Sequence, residues 1–240
     1  MENPICISTG FLYRFTNDRN EMIKRIKEFS PHGIELSFAY PQYLFDFVVD
    51  EENLDYLRSL KFNSIHASWK GITYGNNQKS KNVLEAIEKL YKQINAKNVV
   101  FHRDQIKDIQ VIAGYDFLAS IENGDWREPL GNSVNKIEEI LKENSKLKFT
   151  FDFAHALTIS SDDIPLYVDK FKDKVVEIHL AMLNKDLKDH WFLHKYDSLE
   201  MRNLLNHLKN IKVPITLECV ACNNGEVKLI KKEIEYIKEI

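Results

Sequence analysis

Short β-branched or apolar runs alternate with helix-type segments eight times along this chain. Strand-type runs fall at 4–8, 33–37, 62–66, 98–102, 117–122, 147–152, 175–180 and 213–219. Between and after them, Lys/Glu/Leu-rich stretches with 3.6-residue periodicity predict helices at 18–29 (with Asn17 as N-cap), 51–60, 80–95, 106–112, 133–144, 164–171, 198–209 and from 226 onward. Spread over 240 residues, the units average about 30 residues each, the length of one βαβ step. Strict alternation implies a parallel sheet, and eight units in a chain of this size imply closure. The expected fold is therefore α/β, a (β/α)8 TIM barrel forming a single domain over 1–240. An open doubly wound sheet fits less well, because no Gly-x-Gly-x-x-Gly follows the first strand.

Composition narrows the class. With 44% hydrophobic residues, only 8 Gly and 6 Pro, the chain is neither disordered nor low-complexity. A net charge of −3 and a pI near 6.3 give no global basic field. No apolar run approaches the roughly 18 residues of a membrane span, so no membrane association is expected. The first residues, Met-Glu-Asn-Pro-Ile-Cys-Ile-Ser, lack a basic region followed by an apolar stretch. Three cysteines, Cys6, Cys219 and Cys222, argue against a disulfide framework. These features predict a cytoplasmic protein, and no protein partner is evident.

In such barrels the active site lies at the C-terminal strand ends. From the third strand on, those ends carry His66, His102, Glu122, Asp152, His179 and Glu218, with His155 three residues beyond Asp152. The last one or two positions of eight strands make up on the order of a twentieth to a tenth of a barrel chain. Random placement would put fewer than one of the eight histidines there, and three are found. Singly, each has an ordinary reading, a hydrogen-bonded structural histidine or a carboxylate N-cap. Together they would bury several carboxylates without partners, at several kcal/mol each, and a divalent cation removes that cost. Three imidazoles with three carboxylates suit zinc, manganese or iron better than calcium or magnesium. Six ligands exceed the needs of one catalytic ion, whereas two ions could clamp both oxygens of a phosphoryl displacement.

In order, the pieces Ile65-His66-Ala67-Ser68-Trp69, Phe101-His102, Ile121-Glu122-Asn123, Asp152-Phe153-Ala154-His155, Ile178-His179-Leu180 and Leu217-Glu218 resemble the xylose isomerase-like TIM barrels. That superfamily is shared by endonuclease IV (AP endonuclease family 2) and sugar-phosphate isomerases and epimerases. Likeness to endonuclease IV implies three metals. His66 and His102 would hold the first and Asp152 and His179 the second. Glu122 and Glu218 would lie between them as the catalytic carboxylates. His155 and His190 would hold the third, with His194 competing for the place of His190. Trp69 falls where the family places an aromatic wedge against DNA, and it and Arg103, in an adjoining loop, would contact substrate.

This chain departs from the family at three points. Lys188 stands where the family's Asp-x-His pair has Asp, with Asp186 or Asp189 as substitutes. Asn123-Gly124-Asp125-Trp126 replaces Thr-Ala-Gly after the fifth strand. The loop charges nearly cancel: Lys70, Arg103, Arg127, Lys185, Lys188 and Lys195 face Asp104, Asp125, Glu128, Asp186 and Asp189. The isomerase and epimerase branch would need one metal on Glu122, Asp152, His179 and Glu218, with His66 and His102 touching substrate. It also fits Glu35 at the end of strand two.

The first expectation is thus a divalent-metal-dependent hydrolase holding two or three ions. Zinc is the first choice and manganese the alternative. It would cleave a phosphoester at an abasic site of damaged DNA, or in a small sugar-phosphate substrate, by metal-activated water. The alternative is a sugar or sugar-phosphate isomerase or epimerase in which Glu122 and Glu218 move the proton. A non-catalytic metal-holding binding protein is the second alternative. Cys219-Val220-Ala221-Cys222 lacks a second pair at zinc-site spacing and reads as packing.

Overall fold

The computed structural model describes residues 3–184 and 189–239. In chain order its strands are β1 Ile5–Ser8, β2 Gly33–Ser37, β3 Phe62–His66, β4 Asn98–His102, β5 Ala119–Glu122, β6 Lys148–Asp152, β7 Val175–Leu180, β8 Met182–Asn184, β9 Asp189–Trp191 and β10 Ile215–Leu217. All but β8 and β9 are parallel and close into an eight-stranded barrel. Barrel neighbours follow chain order, and β10 closes on β1 with Ile5 opposite Ile215. β8 and β9 form a short antiparallel hairpin between β7 and β10. Among the described residues no helix is long and apolar enough to cross a membrane.

The period-two pleat sorts each strand into two faces. Outward residues such as Ile7, Ile34, Leu36, Ile65, Val99, Phe101, Ile121, Phe151, Ile178 and Leu217 are buried under the helical layer in one continuous apolar core. Helices Gln78–Gln93, Val134–Glu143 and Ile230–Glu239 are amphipathic and bury one apolar stripe each.

Inward residues are unlike those of most such barrels, which are filled by branched aliphatics. Here a polar layer crosses the interior. Glu177 accepts from Ser64 at 2.8 Å, from Asn98 at 2.9 Å and from Thr216 at 2.6 Å. Ser120 and Thr150 share a 2.6 Å hydrogen bond. Above this layer stand the strand-end histidines and carboxylates. A register shift between Phe149 and Thr150 aligns Thr150 with Glu177 and Asp152 with His179. Such a bulge re-aims side chains at a site, and here it brings β7 into step with β6 where the polar residues meet.

The expected elements are present with shifted ends. Asp18, not Asn17, caps the first helix, Arg19–Lys27, accepting from Asn20 N at 2.8 Å. The fifth strand begins at Ala119 because Phe117 instead stacks on Tyr115 and Phe101. The last barrel strand shortens to three residues after Pro214, which has no N–H to enter a ladder. The helix expected at 106–112 is a single turn, Gln110–Ala113. The C-terminal helix is two pieces, Asn224–Val227 and Ile230–Glu239. Helices at Pro41–Phe45 and Phe153–Ile159 and the β8–β9 hairpin carry no clear periodic signal, being one or two turns long or three residues per strand.

Candidate metal centre

Glu122, at the end of β5, is the hub. Its Oε1 lies 2.9 Å from His179 Nδ1, and its Oε2 lies 3.3 Å from Nε2 of both His66 and His102. Glu218 approaches the same His179 nitrogen at 3.3 Å. Among the described residues five groups bring their ligand atoms within 4.8 Å of one another. Three of them hold the expected ligands: His66, His102 and Glu122; Glu122, Asp152, His179 and Glu218; Asp152, His155 and His190. The other two are His66, His179 and Glu218, and Glu35, Glu177 and His179. The structure thus gathers all eight residues expected as metal ligands into one continuous constellation. His190 reaches it from the hairpin, where Leu183 is its cross-strand partner and its carbonyl accepts from Val220 N at 2.9 Å.

Local structure explains the aim of each ligand. Asp152 ends β6 and caps the helix Phe153–Ile159, its Oδ1 accepting from His155 N at 2.6 Å. The Asp-x-x-His spacing is therefore both a cap and a pair of neighbouring ligands. Three histidines are held at Nδ1 by a neighbouring acceptor, and two of them, His66 and His102, turn Nε2 toward Glu122. His66 Nδ1 meets Ala67 O at 3.2 Å, His102 Nδ1 meets Glu128 Oε1 at 2.7 Å, and His155 Nδ1 meets Asn123 O at 2.9 Å. Such outer partners fix the tautomer and ring plane of a ligating histidine. His179 is reversed, with Nδ1 toward Glu122 and Glu218.

Glu128 and Asn123 were not among the expected site residues, and Glu35 was expected only for the isomerase and epimerase branch. Asn123 links the ends of β5 and β6 by two 2.8 Å bonds with Asp152, donating to its carbonyl and accepting from its N–H. Its position directly after Glu122 was the available signal. Glu128 had none, since it reaches His102 from a loop 26 residues on.

The electrostatics fit a cation. Burial disfavours charge on His66 and His155, yet the surrounding carboxylates outweigh it and push both up to about 9. His179 is raised well above the ordinary imidazole value against the same burial, by Glu218, Glu35 and Glu122. Burial works against charge on Glu122 and Glu218 too, but the His179 imidazolium dominates and holds both well below the carboxylate range. Asp152 is pushed up by burial. His190 is pulled down to about 4, chiefly by burial. Without a metal the cluster thus holds its carboxylates in balance by taking up protons. Buried atoms still lack hydrogen-bond partners, among them Glu122 Oε2 and His190 Nε2. Nitrogen and oxygen donors converging on such atoms fit a divalent ion of the zinc or manganese type.

The remaining expectations divide. Trp69 is half-buried and roofs the cluster, 4.8 Å from the His66 ring and stacked 5.7 Å from that of His102. Arg103 is outside these clusters and donates to Ile106 O at 2.5 Å. His194 binds Glu233 at 2.5 Å and is not in the cluster. Lys185, Asp186 and Lys188 lie outside the described residues. Cys219 is buried in the core while Cys222 is exposed.

No protein-family profile and no curated protein sequence matches the chain. Solved structures do match its fold. Endonuclease IV from Thermus thermophilus superposes with a TM-score of 0.68 at 14% identity, covering 99% of this chain and 100% of that one. A D-tagatose 3-epimerase-like protein gives 0.69 at 17% identity, with 98% of each chain covered. IolI, solved with a bound zinc atom, gives 0.66 at 14% identity, covering 98% of this chain and 95% of that one. The fold is that of the xylose isomerase-like TIM barrels.

Proposed function

We propose that this protein is a divalent-metal-dependent enzyme that hydrolyses a phosphoester beside a sugar, as endonuclease IV-like proteins do. The observation that carries this reading is the position of Glu122. One carboxylate oxygen faces His66 and His102 and the other faces His179, so both halves of the cluster would draw on Glu122 if each held an ion. His66, His102 and Glu122 would hold one ion, Glu122, Asp152, His179 and Glu218 a second, and Asp152, His155 and His190 a third. Ions bound there would supply Lewis-acid polarisation of a phosphoryl oxygen and acidify an attacking water.

The protein's own groups divide the remaining work. Glu218 is the most exposed of the three carboxylates grouped with His179 in the second set, its side chain 12% exposed against 1% for Glu122 and Asp152. Held ionised by His179, it is placed to take a proton from the water at its Oε atoms. Glu122, enclosed by histidines, orients rather than exchanges protons. Trp69 covers the His66 and His102 side and excludes water there. The direct test combines elemental analysis with cleavage of an abasic-site oligonucleotide. Two or more ions per chain and cleavage lost in His102→Ala are expected. One ion with no cleavage would overturn this reading.

One observation favours the isomerase or epimerase reading. Three arginines near the strand-end face give guanidinium N–H groups to the protein itself. Arg19 donates to Ser37 O, Arg103 to Ile106 O, and Arg127 to Asp125. Phosphate recognition draws on free Lys and Arg, so a neutral sugar would suit this mouth better than DNA. Glu122 and Glu218 would then carry the proton between neighbouring carbons.

A further inference from the structure

Beneath the metal centre, inside the barrel, one carboxylate has no evident occupation. Glu35, on β2, is completely buried, and neither of its oxygens has a hydrogen-bond partner. Its Oε2 lies 3.1 Å from His179 Nε2. That nitrogen is likewise buried and without a hydrogen bond of good geometry. Glu177 is the other carboxylate nearby, 3.8 Å from the same atom. It differs from Glu35 in one decisive respect: its oxygens are already engaged by Ser64, Asn98 and Thr216. Glu177 Oε1, the atom nearest His179, already accepts from both Ser64 and Thr216, whereas neither Glu35 oxygen accepts from any group.

The other histidines of the site supply the logic. His66 and His102 each rest one ring nitrogen on a protein acceptor and turn the other toward Glu122. His179 turns Nδ1 toward Glu122 and Glu218, so its outer nitrogen is Nε2, and what faces Nε2 is Glu35. An unpaired buried carboxylate costs several kcal/mol, and an unpaired ring N–H adds to that. Both costs vanish if Nε2–H donates to Glu35.

We infer that Glu35 is the positioning residue for His179, accepting its Nε2 proton from inside the barrel and so presenting Nδ1 as the ligand nitrogen. Glu177 is a structural member of the interior layer and takes no such part. This inference rests on the metal-centre reading for its consequence, though not for the contact itself. Removing an outer partner of a ligating histidine typically costs about 10- to 100-fold in metal affinity.

The test has two arms. In the first, the His179 Nε2–H resonance is followed by NMR in the metal-free protein. Wild type and Glu177→Gln should show a downfield, slowly exchanging proton. Glu35→Ala should lose it, and Glu35→Gln, whose amide oxygen still accepts, should keep it less shifted. In the second, cobalt(II) affinity is measured for the same set. Glu35→Ala should bind at least 10-fold more weakly, Glu35→Gln should recover most of that loss, and Glu177→Gln should stay within about threefold of wild type. If Glu35→Ala does not fold, the Gln pair still separates the two glutamates.

The inference fails if the Nε2–H is unchanged in the Glu35 variants, or if Glu177→Gln loses it. It also fails if the proton is lost but cobalt affinity is not. A wild-type protein that binds no cobalt would defeat the metal-centre reading and with it the ligand role of His179. The first arm would still decide the Glu35–His179 contact.

Discussion

Glu128 Oε1 lies 2.7 Å from His102 Nδ1, and the far side of that imidazole, Nε2, lies 3.3 Å from Glu122 Oε2. A carboxylate from a loop thus fixes how a strand-end histidine meets the hub of the site. Glu128→Ala should lower affinity for the ion on His66 and His102 about 10- to 100-fold while leaving the ion on Asp152 and His179 in place. Stepwise metal titration with a chromophoric chelator would show one site weakened. Equal weakening of all sites would contradict this division.

Metal uptake should release protons. His66 and His155 are pushed up to about 9 in the metal-free site, so at neutral pH both carry a proton that a metal must displace. Affinity should therefore fall as pH falls from 9 toward 6. Calorimetry in buffers of different ionisation enthalpy should report more than one proton released per chain at pH 7. The same shifts bear on stability. A histidine raised from about 6.5 in the unfolded chain contributes stability that is complete below about 6.5 and is lost as pH rises through about 9. The metal-free protein should thus lose stability between those values more steeply than the metal-loaded protein, which thermal unfolding at pH 6 and pH 9.5 would check.

The barrel interior should be intolerant of small changes. A Cβ on Gly33 would lie 1.9 Å from Phe62 O and 2.7 Å from Cys6 Sγ, so the constraint is close approach of two strands. Gly33→Ala should cost about 3 kcal/mol or more. Ser64→Ala removes one of the donors to buried Glu177 and should cost about 1–3 kcal/mol. Urea unfolding of both variants is the measurement, and a Gly33→Ala protein as stable as wild type would refute the packing described.

Trp69 should report on the ions it covers. Its ring stacks on His102 at 5.7 Å, close enough for a paramagnetic ion on that histidine to quench it. Cobalt(II) should reduce tryptophan emission in wild type, and much of that response should vanish in Trp69→Phe. Trp69→Ala should raise KM more than it lowers kcat, because the ring borders the site without supplying a reacting atom.

Much of this was legible in the sequence because the barrel repeats a local rule. Alternating strand and helix signals set the number of units, and the strand-end rule turned single residues such as His66, Glu122 and His179 into an ordered set. The Asp152-x-x-His155 pair was legible for the same reason, since cap and ligand share one local spacing. Where the relevant contact runs through space, the sequence is silent. Glu128 and His102 are 26 residues apart, and His190, which the family resemblance alone pointed to, enters through a hairpin of three-residue strands too short to leave a period.

The sequence by itself therefore determined the fold class and the inventory of possible ligands, because both follow from periodicity along the chain. Tertiary structure alone decided which nitrogen of His66, His102 and His179 faces Glu122, that Glu122 is the hub, and that Glu35 rather than Glu177 is the carboxylate left for His179. The physical reason is closure of the barrel. It brings Glu35 of β2 and Glu122 of β5 within hydrogen-bonding reach of His179 on β7, and no local pattern records what lies across an interior.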